Sequence, residues 1–299
     1  MNYSISDLEQ LSGVQVHTIR IWERRYNALE PMRSAGNTRS YNDDHLRRLL
    51  NIVSISQTGL KISQVCALSE KEMNDLLKKE IDQTISSIAN FEYYISQLLK
   101  YGLVYNEFEF DRLISKCILK YGMTDTYKQV MYPLLVRLGL MWRKDNLCPA
   151  QEHFLSNIIR QKLYSAINNI PPVSMVKSSW LLFLPEDEGH DIGLLFANYI
   201  LKLAGHQVIY LGSRVPLDSI KDAMEYNQIQ HMLLFMVRNR PVENANEYFN
   251  ELSTKFPETR IHLAGNTKLI SELKLAENIN WFQSIIEFEQ TIINISNAN

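Results

Sequence analysis

The sequence predicts a chain of three folded parts: a winged helix-turn-helix, a four-helix bundle and an α/β domain with a parallel, doubly wound sheet. Arginine-rich short helices followed by turn residues open the chain, and an unbroken series of helical patterns fills its middle. Short apolar strands then alternate with helices up to the end, which is typical of a parallel sheet. We place the parts at residues 1–75, 76–172 and 177–299.

Composition limits the classes of protein that fit this chain. The net charge is only -2 over 299 residues, so a surface for nucleic acid has to be local. Cys66, Cys117 and Cys148 lie far apart, which argues against a disulfide framework and a structural zinc site. No signal peptide and no apolar run of bilayer length is visible, so we expect a soluble cytoplasmic protein without a membrane partner.

The first part begins with two short helices. Ser4 or Ser6 can cap a helix that runs through Leu11, and Gly13 ends it. A second helix follows over residues 18–26, and its apolar side chains recur at spacings of three and four. This second helix projects three arginines from its polar side: Arg20, Arg24 and Arg25. A tight turn between such helices predicts a helix-turn-helix.

The segment after these helices predicts a two-stranded wing. Turn residues Gly36 and Asn37 lie at the middle of residues 31–41, and Arg33 and Arg39 lie on the two limbs. Such a wing is able to contact phosphates on both sides of a groove.

Four motifs together resemble the head of MerR-type transcription regulators: Thr18-Ile19-Arg20-Ile21-Trp22-Glu23-Arg24-Arg25-Tyr26, Pro31-x-Arg33, Arg39-x-Tyr41 and Leu46-Arg47-Arg48-Leu49. The Trp-Glu-Arg-Arg-Tyr run resembles the cobalamin-dependent subgroup. The resemblance implies binding to double-stranded operator DNA through Thr18, Arg20, Arg24, Arg25, Arg33, Arg39 and Tyr41. Phosphates would repel Glu23, so we expect it to pair with an arginine of the head.

The middle part is helical by periodicity. We predict helices over 76–100, 107–121, 124–143 and 151–168, with Pro149 at the end of the third helix. A four-helix bundle is the simplest arrangement for them. The pair Pro171-Pro172 is the best candidate for the linker to the last part.

Trp142 and the pair Glu152-His153 lie near facing helix ends of this bundle. At this spacing they resemble the cap module of CarH/LitR-type cobalamin photoreceptor regulators. The resemblance implies that Trp142 covers the upper face of the corrin and that Glu152-His153 adjoins the adenosyl group of adenosylcobalamin. Arg143 stands where the photoreceptor members have a cobalt-binding histidine, and arginine offers no free lone pair. Control by light therefore stays open.

The last part alternates strands with helices over residues 192–203, 217–226, 244–256, 268–275 and 287–294. The predicted strands are Trp180–Leu184, Gln207–Leu211, Gln230–Val237 and Arg260–Ala264. Doubly wound sheets bind ligands at the carboxyl ends of their strands. His190 follows the first strand, and its position therefore predicts a ligand site.

The hexapeptide around this histidine is Glu188-Gly189-His190-Asp191-Ile192-Gly193. A carboxylate two residues before a histidine can orient the imidazole, and a glycine three residues after it permits a close approach of the backbone. The segment resembles the Rossmann-like (flavodoxin-like) cobalamin-binding domain of corrinoid proteins. The resemblance implies that His190 is the lower ligand of cobalt, and that the nucleotide tail of cobalamin is displaced into the domain. The cofactor-binding residues so predicted are Glu188, His190, Asp191, Gly193 and Gly265.

Two departures from that family bear on the tail. No serine or threonine occurs between Gln228 and Arg240, where the family has one near the nucleotide base, and Phe235 or Met236 would crowd the channel. Ala264 stands where the family has the first of two glycines. Three further histidines show no ligand spacing and are interpreted as incidental: His206, His231 and His262.

The leading hypothesis is a repressor that binds its operator as a homodimer or homotetramer. Adenosylcobalamin, held between the helical cap and the His190 domain, would control the oligomer and hence DNA binding. One alternative is a cobalamin-free MerR-type regulator controlled by a protein partner. Another is a corrinoid methyl carrier, although the DNA-binding head argues against it, and we do not expect an enzyme.

Overall fold

The computed structural model describes residues 3–33, 39–56, 60–73, 75–76, 91–142, 149–172 and 175–298. Its contacts divide the chain into two compact units, residues 1–158 and 159–299. The described helices include none that is both long and apolar enough to cross a bilayer.

The head has the predicted helices and wing. Its elements are α1 Ile5–Ser12, α2 Val16–Tyr26, β1 Met32–Arg33, β2 Arg39–Ser40, α3 Asp43–Ser56 and α4 Ile62–Ala67. The Ser4 side chain accepts a hydrogen bond from the backbone N–H of Asp7, and Gly13 ends α1 with a φ of 74°. The strands β1 and β2 pair antiparallel, with Arg33 opposite Arg39. The predicted turn at Gly36-Asn37 lies outside the described residues.

The middle part is helical, as predicted. Its elements are α5 Phe91–Leu103, α6 Glu107–Thr126, a π-helical turn Tyr127–Met131, α7 Tyr132–Trp142 and α8 Pro149–Asn168. The predicted helix over 76–100 is seen from Phe91 onward, and residues 77–90 lie outside the description. The expectation that Pro149 ends a helix is wrong. It begins α8, where its missing N–H costs no helical hydrogen bond.

The head and the helical part belong to the same unit, and polar contacts join them. Arg137 on α7 donates to the carbonyl of Leu11 at 3.2 Å and forms two hydrogen bonds of 2.7 Å with the Glu92 carboxylate. Gln97 on α5 donates to the Asn51 side chain on α3 at 3.4 Å. These contacts fix the head against the first and third helices of the bundle.

The second unit contains a five-stranded parallel sheet in the order β4-β3-β5-β6-β7. The strands are β3 Ser179–Pro185, β4 Gln207–Val215, β5 His231–Met236, β6 Arg260–Gly265 and β7 Ile279–Trp281. The helices are α9 Ile192–Leu203, α10 Leu217–Glu225, α11 Val242–Lys255, α12 Thr267–Ile270 and α13 Ile285–Ala298. This strand order is that of a flavodoxin-like doubly wound fold, so the predicted fold class is confirmed. The short strand β7 was not predicted, and the helix expected over 268–275 is only α12.

The two faces of this sheet have different cores. Leu181, Phe183 and Met232 belong to an apolar cluster that includes side chains of α10 and α11. The opposite face carries a set of buried rings, which we call the ring cluster: Trp180, His231, His262, Phe282 and Phe288. The histidines at 231 and 262, interpreted as incidental from the sequence, are therefore parts of the core.

Candidate functional site

A buried carboxylate lies where β3 and β5 end side by side. The Glu188 side chain is 0% exposed, and its Oε1 accepts the backbone N–H groups of Gly189 at 3.0 Å and His190 at 3.1 Å. Its Oε2 accepts the N–H groups of Val237 at 2.9 Å and Arg238 at 2.7 Å. Because β3 and β5 are neighbours at the switch point of the strand order, one side chain ties together the two loops that form the ligand edge.

These hydrogen bonds keep Glu188 ionised. Burial by itself would raise the pKa of this carboxyl, because it removes the charge from water. The hydrogen bonds from His190 and from the backbone N–H groups outweigh burial and lower the pKa to about 2. Glu188 is therefore an anion at neutral pH.

The same carboxylate orients His190. The Nδ1 atom of the imidazole lies 2.5 Å from Glu188 Oε1, and the His190 side chain is 62% exposed. With Nδ1 directed at the carboxylate, Nε2 is the nitrogen that would coordinate a metal. No cluster of three or more metal-ligating side chains occurs in the described part of the chain. A single exposed, oriented imidazole fits the axial position of a corrinoid, whose ring supplies the other ligands.

The residue after this histidine binds a helix of the preceding part. Asp191 Oδ1 accepts a 2.7 Å hydrogen bond from Arg160 Nε on α8. Tyr164 on α8 and Tyr210 on β4 lie close enough for the Asp191 charge to contribute to their raised pKa values, after the larger effect of burial. The His190 loop is thus joined to the C-terminal half of α8. Arg160 lies 31 residues from its partner, and no sequence pattern signalled the pair.

The two predicted close-approach glycines are each packed against β5. A Cβ atom at Gly265, where φ is 132°, would lie 2.2 Å from the carbonyl oxygen of Met236. A Cβ at Gly193 would lie 2.8 Å from the ring of Phe235. Both glycines therefore permit close packing within the domain itself.

The predicted cap residues lie at helix ends, as expected. Trp142 is the last residue of α7, and its side chain and Arg143 lie outside the described part of the chain. Glu152 and His153 lie in the first turn of α8, with Glu152 Oε2 3.1 Å from His153 Nδ1. His153 is 72% exposed.

The second helix of the head, α2, presents a basic surface. Arg20, Arg24 and Arg25 on α2 are exposed, as is Arg33 on β1, while Thr18 is half-buried in the first turns of α2. Exposed arginine side chains are the type of group that contacts phosphates and base edges.

Two residues predicted to contact DNA, Tyr41 and Arg39, contact Glu23 within the head. Tyr41 is fully buried and donates a 2.5 Å hydrogen bond to Glu23 Oε1, and Arg39 Nε lies 3.3 Å from Glu23 Oε2. Glu23 therefore pairs with an arginine, as expected. Assigning Tyr41 to the DNA surface was wrong, because its ring has no access to a groove. Tyr41 and Arg39 instead hold the wing against α2.

A further arginine near the His190 loop went unrecognised in the sequence. Arg240 is only 10% exposed, with Nη1 2.9 Å from Asp187 Oδ1 and Nη2 3.8 Å from Glu188 Oε2. These two contacts join the loop after β5 to the loop after β3.

A winged helix-turn-helix joined to a doubly wound domain defines a DNA-binding regulator with a ligand-binding domain. A model of the MerR helix-turn-helix regulatory protein family matches residues 3–71, and a model of the B12 binding domain matches residues 94–166. The chain is therefore a transcription regulator with a MerR helix-turn-helix domain and a B12-binding domain.

Similar proteins include two repressors and one solved corrinoid protein. The chain is 28% identical to the HTH-type transcriptional repressor CarH of Myxococcus xanthus over 257 residues. This alignment covers 85% of each chain. It is 25% identical to the repressor CarA of the same organism, over 81% of this chain and 79% of that protein. The monomethylamine corrinoid protein of Methanosarcina barkeri shares the fold, with a TM-score of 0.53 and 14% identity over 67% of this chain and 96% of that one.

Proposed function

We propose that this chain is a repressor whose operator binding is controlled by adenosylcobalamin through a change of oligomeric state. The observation that carries the proposal is the Glu188 clamp on His190 at the ligand edge of the sheet. With Nδ1 held by Glu188, Nε2 of His190 would be the nitrogen that binds a corrinoid, and the bound corrinoid would supply cobalt with an exchangeable upper ligand. Trp142, Glu152 and His153 remain predicted contacts on the upper face.

The chain's own residues account for the coupling in this proposal. A shift of the His190 loop alters the Asp191–Arg160 contact and so acts on α8, the helix that begins with Glu152-His153. A ligand can shift the regulator only by the difference in its affinity for the two arrangements. We assign the chain a binding role without turnover, because its relatives CarH and CarA are named as repressors.

Absorption spectroscopy tests cofactor binding. The full chain is incubated with adenosylcobalamin in the dark, freed of unbound ligand and scanned before and after green light. We expect retained corrinoid bands in the wild type and their loss in His190→Ala. His17→Ala, an exposed histidine of the head, is the matched control and should retain them. Loss of the bands in both variants, or in neither, would contradict a role for His190.

The coupling to DNA is tested with the same samples. Mobility-shift titration and sedimentation, each with and without the cofactor, should show tighter operator binding together with a larger oligomer when the cofactor is bound. Equal operator affinity in both states would refute control by cobalamin. A change of oligomer on illumination would establish light as the trigger.

A second function is favoured by one observation. The ring of Phe235 fills the space beside Gly193, beneath the His190 loop. A regulator that has given up the cofactor and responds to a protein partner would tolerate such filling. A C-terminal unit that is fully ordered without cobalamin, with no bands retained, would favour this alternative.

A further inference from the structure

The space directly beneath the His190 loop is occupied by an aromatic side chain. A Cβ built on Gly193 would meet three ring atoms of Phe235, at 2.8, 3.2 and 3.5 Å. Gly193 lies in the first turn of α9, and Phe235 lies near the carboxyl end of β5, opposite Ala264 on β6. The ring therefore fills the gap between α9 and the sheet at its upper end.

Below Phe235 the same face of the sheet is filled by the ring cluster. The centroids of Trp180 and His231 are 4.4 Å apart, and those of His262 and Phe282 are 4.9 Å apart with an interplanar angle of 5°. His231 Nδ1 lies 3.2 Å from His262 Nε2, and Trp180 Nε1 donates to Ser178 at 2.9 Å. These rings therefore pack closely on the face of the sheet that Phe235 shares.

The position of Phe235 matters because cobalamin carries a nucleotide tail that needs space. Its benzimidazole base hangs by a phosphodiester tether from the lower face of the corrin. When an imidazole takes the lower position, the base is displaced but stays on that face. Here the lower face is the side of the His190 loop, so the base has to enter between α9 and β5 or lie outside the domain.

We propose that the site holds the corrin through His190 and leaves the nucleotide tail outside, with Phe235 as the residue that excludes it. The ligand class is then the corrinoid ring with its upper ligand, and tail-less cobinamides bind as well as complete cobalamins. This inference rests on the proposed function, because it assumes that His190 is the axial ligand.

The test compares two ligands with the same upper group on the full chain. Adenosylcobalamin and adenosylcobinamide are titrated in the dark, and dissociation constants are read from absorption and equilibrium dialysis. We expect the cobinamide to bind at least as tightly, or no more than about threefold more weakly. A preference for cobalamin of more than about threefold would overturn the inference while leaving the proposed function intact. Retention of neither ligand would overturn both.

Variants locate the effect. Phe235→Ser removes the ring and should shift the preference toward cobalamin by about tenfold, and Phe235→Leu should shift it less. Phe249→Leu shortens a buried ring on the opposite face of the sheet and is the matched control, for which the preference should not change. Circular dichroism checks that each variant is folded. An unchanged preference in folded Phe235→Ser and Phe235→Leu would refute Phe235 as the excluding residue.

Discussion

Glu188→Gln should destabilise the C-terminal unit, because no orientation of an amide satisfies the clamp. Both carboxylate oxygens accept backbone N–H groups, from Gly189 and His190 on one side and from Val237 and Arg238 on the other. A glutamine must direct its NH₂ group at one of these pairs, which places donor against donor. The backbone N–H groups that face this NH₂ then have no acceptor, and each such buried N–H costs about 1–3 kcal/mol.

The lowered pKa gives a second magnitude for the same hydrogen bonds. The carboxyl has a pKa of about 2 in the folded chain, against 4.5 for an ordinary glutamate. At about 1.36 kcal/mol per pH unit, this difference corresponds to about 3 kcal/mol of stability. The sign follows from the lowered pKa: the contribution is complete above pH 4.5 and is lost as the pH falls toward 2. At pH 7.5 the variant should therefore lack all of it.

The assay is hydrogen exchange of the β5 amides, with urea unfolding at pH 7.5 as a second measure. We expect the free energy of opening to fall by about 3 kcal/mol in Glu188→Gln. Asp187→Asn is the matched control, since this neighbouring carboxylate is 54% exposed, and its loss should cost less than about 1 kcal/mol. A decrease in Glu188→Gln no larger than that of the control would refute the reasoning.

Three further predictions concern the remaining parts of the chain. Arg24→Ala should weaken operator binding and reduce the salt dependence of log K by about one, measured by fluorescence anisotropy, whereas Lys221→Ala on α10 should change neither. Arg137→Met should lower the stability of the head and bundle by about 1–3 kcal/mol in urea, against less than about 1 kcal/mol for Arg112→Met, whose pair with Glu109 is more exposed. Burial lowers the pKa values of the histidines at 206, 231 and 262 to about 4, 4 and 3. As the pH falls, these histidines bind protons in the unfolded chain at a higher pH than in the folded chain. The free energy of unfolding should therefore be complete above pH 6.5 and lower by on the order of 4 kcal/mol at pH 5.5. Equal urea midpoints at pH 7.5 and 5.5 would contradict this.

Periodicity and turn residues were sufficient to predict the fold class, because helices and parallel strands bury recurrent apolar positions. The strands β3 and β5 were found as nearly continuous apolar runs of the kind that a sheet covered on both faces requires. The strand β7 has three residues, of which only Ile279 is buried, and such a segment has too little pattern to be recognised. Pro149 was misplaced because a proline is compatible with the start of a helix as well as with its end.

The candidate site was predictable only where its contacts are local in sequence. Glu188 and His190 are two residues apart, so the orienting contact could be anticipated from their spacing. The hydrogen bonds from Val237 and Arg238 involve backbone N–H groups, which have no sequence signature, and they come from 49 and 50 residues away. Tyr41 failed as a predicted DNA contact for a related reason. Its buried partner, Glu23, lies 18 residues earlier on α2.

The conflict between the hexapeptide and its surroundings is the main physical lesson of this chain. The local sequence provides an imidazole oriented by Glu188, while Phe235 and the ring cluster, brought together by long-range packing, occupy the adjoining face of the sheet. Ring packing and metal ligation depend on different atoms, so one can change without the other. A domain can therefore keep its ligand for cobalt and lose its contacts to the nucleotide tail. The relative affinities of cobalamin and cobinamide would measure these two properties separately, because under the proposed function both ligands bind through His190 and only one of them carries the tail.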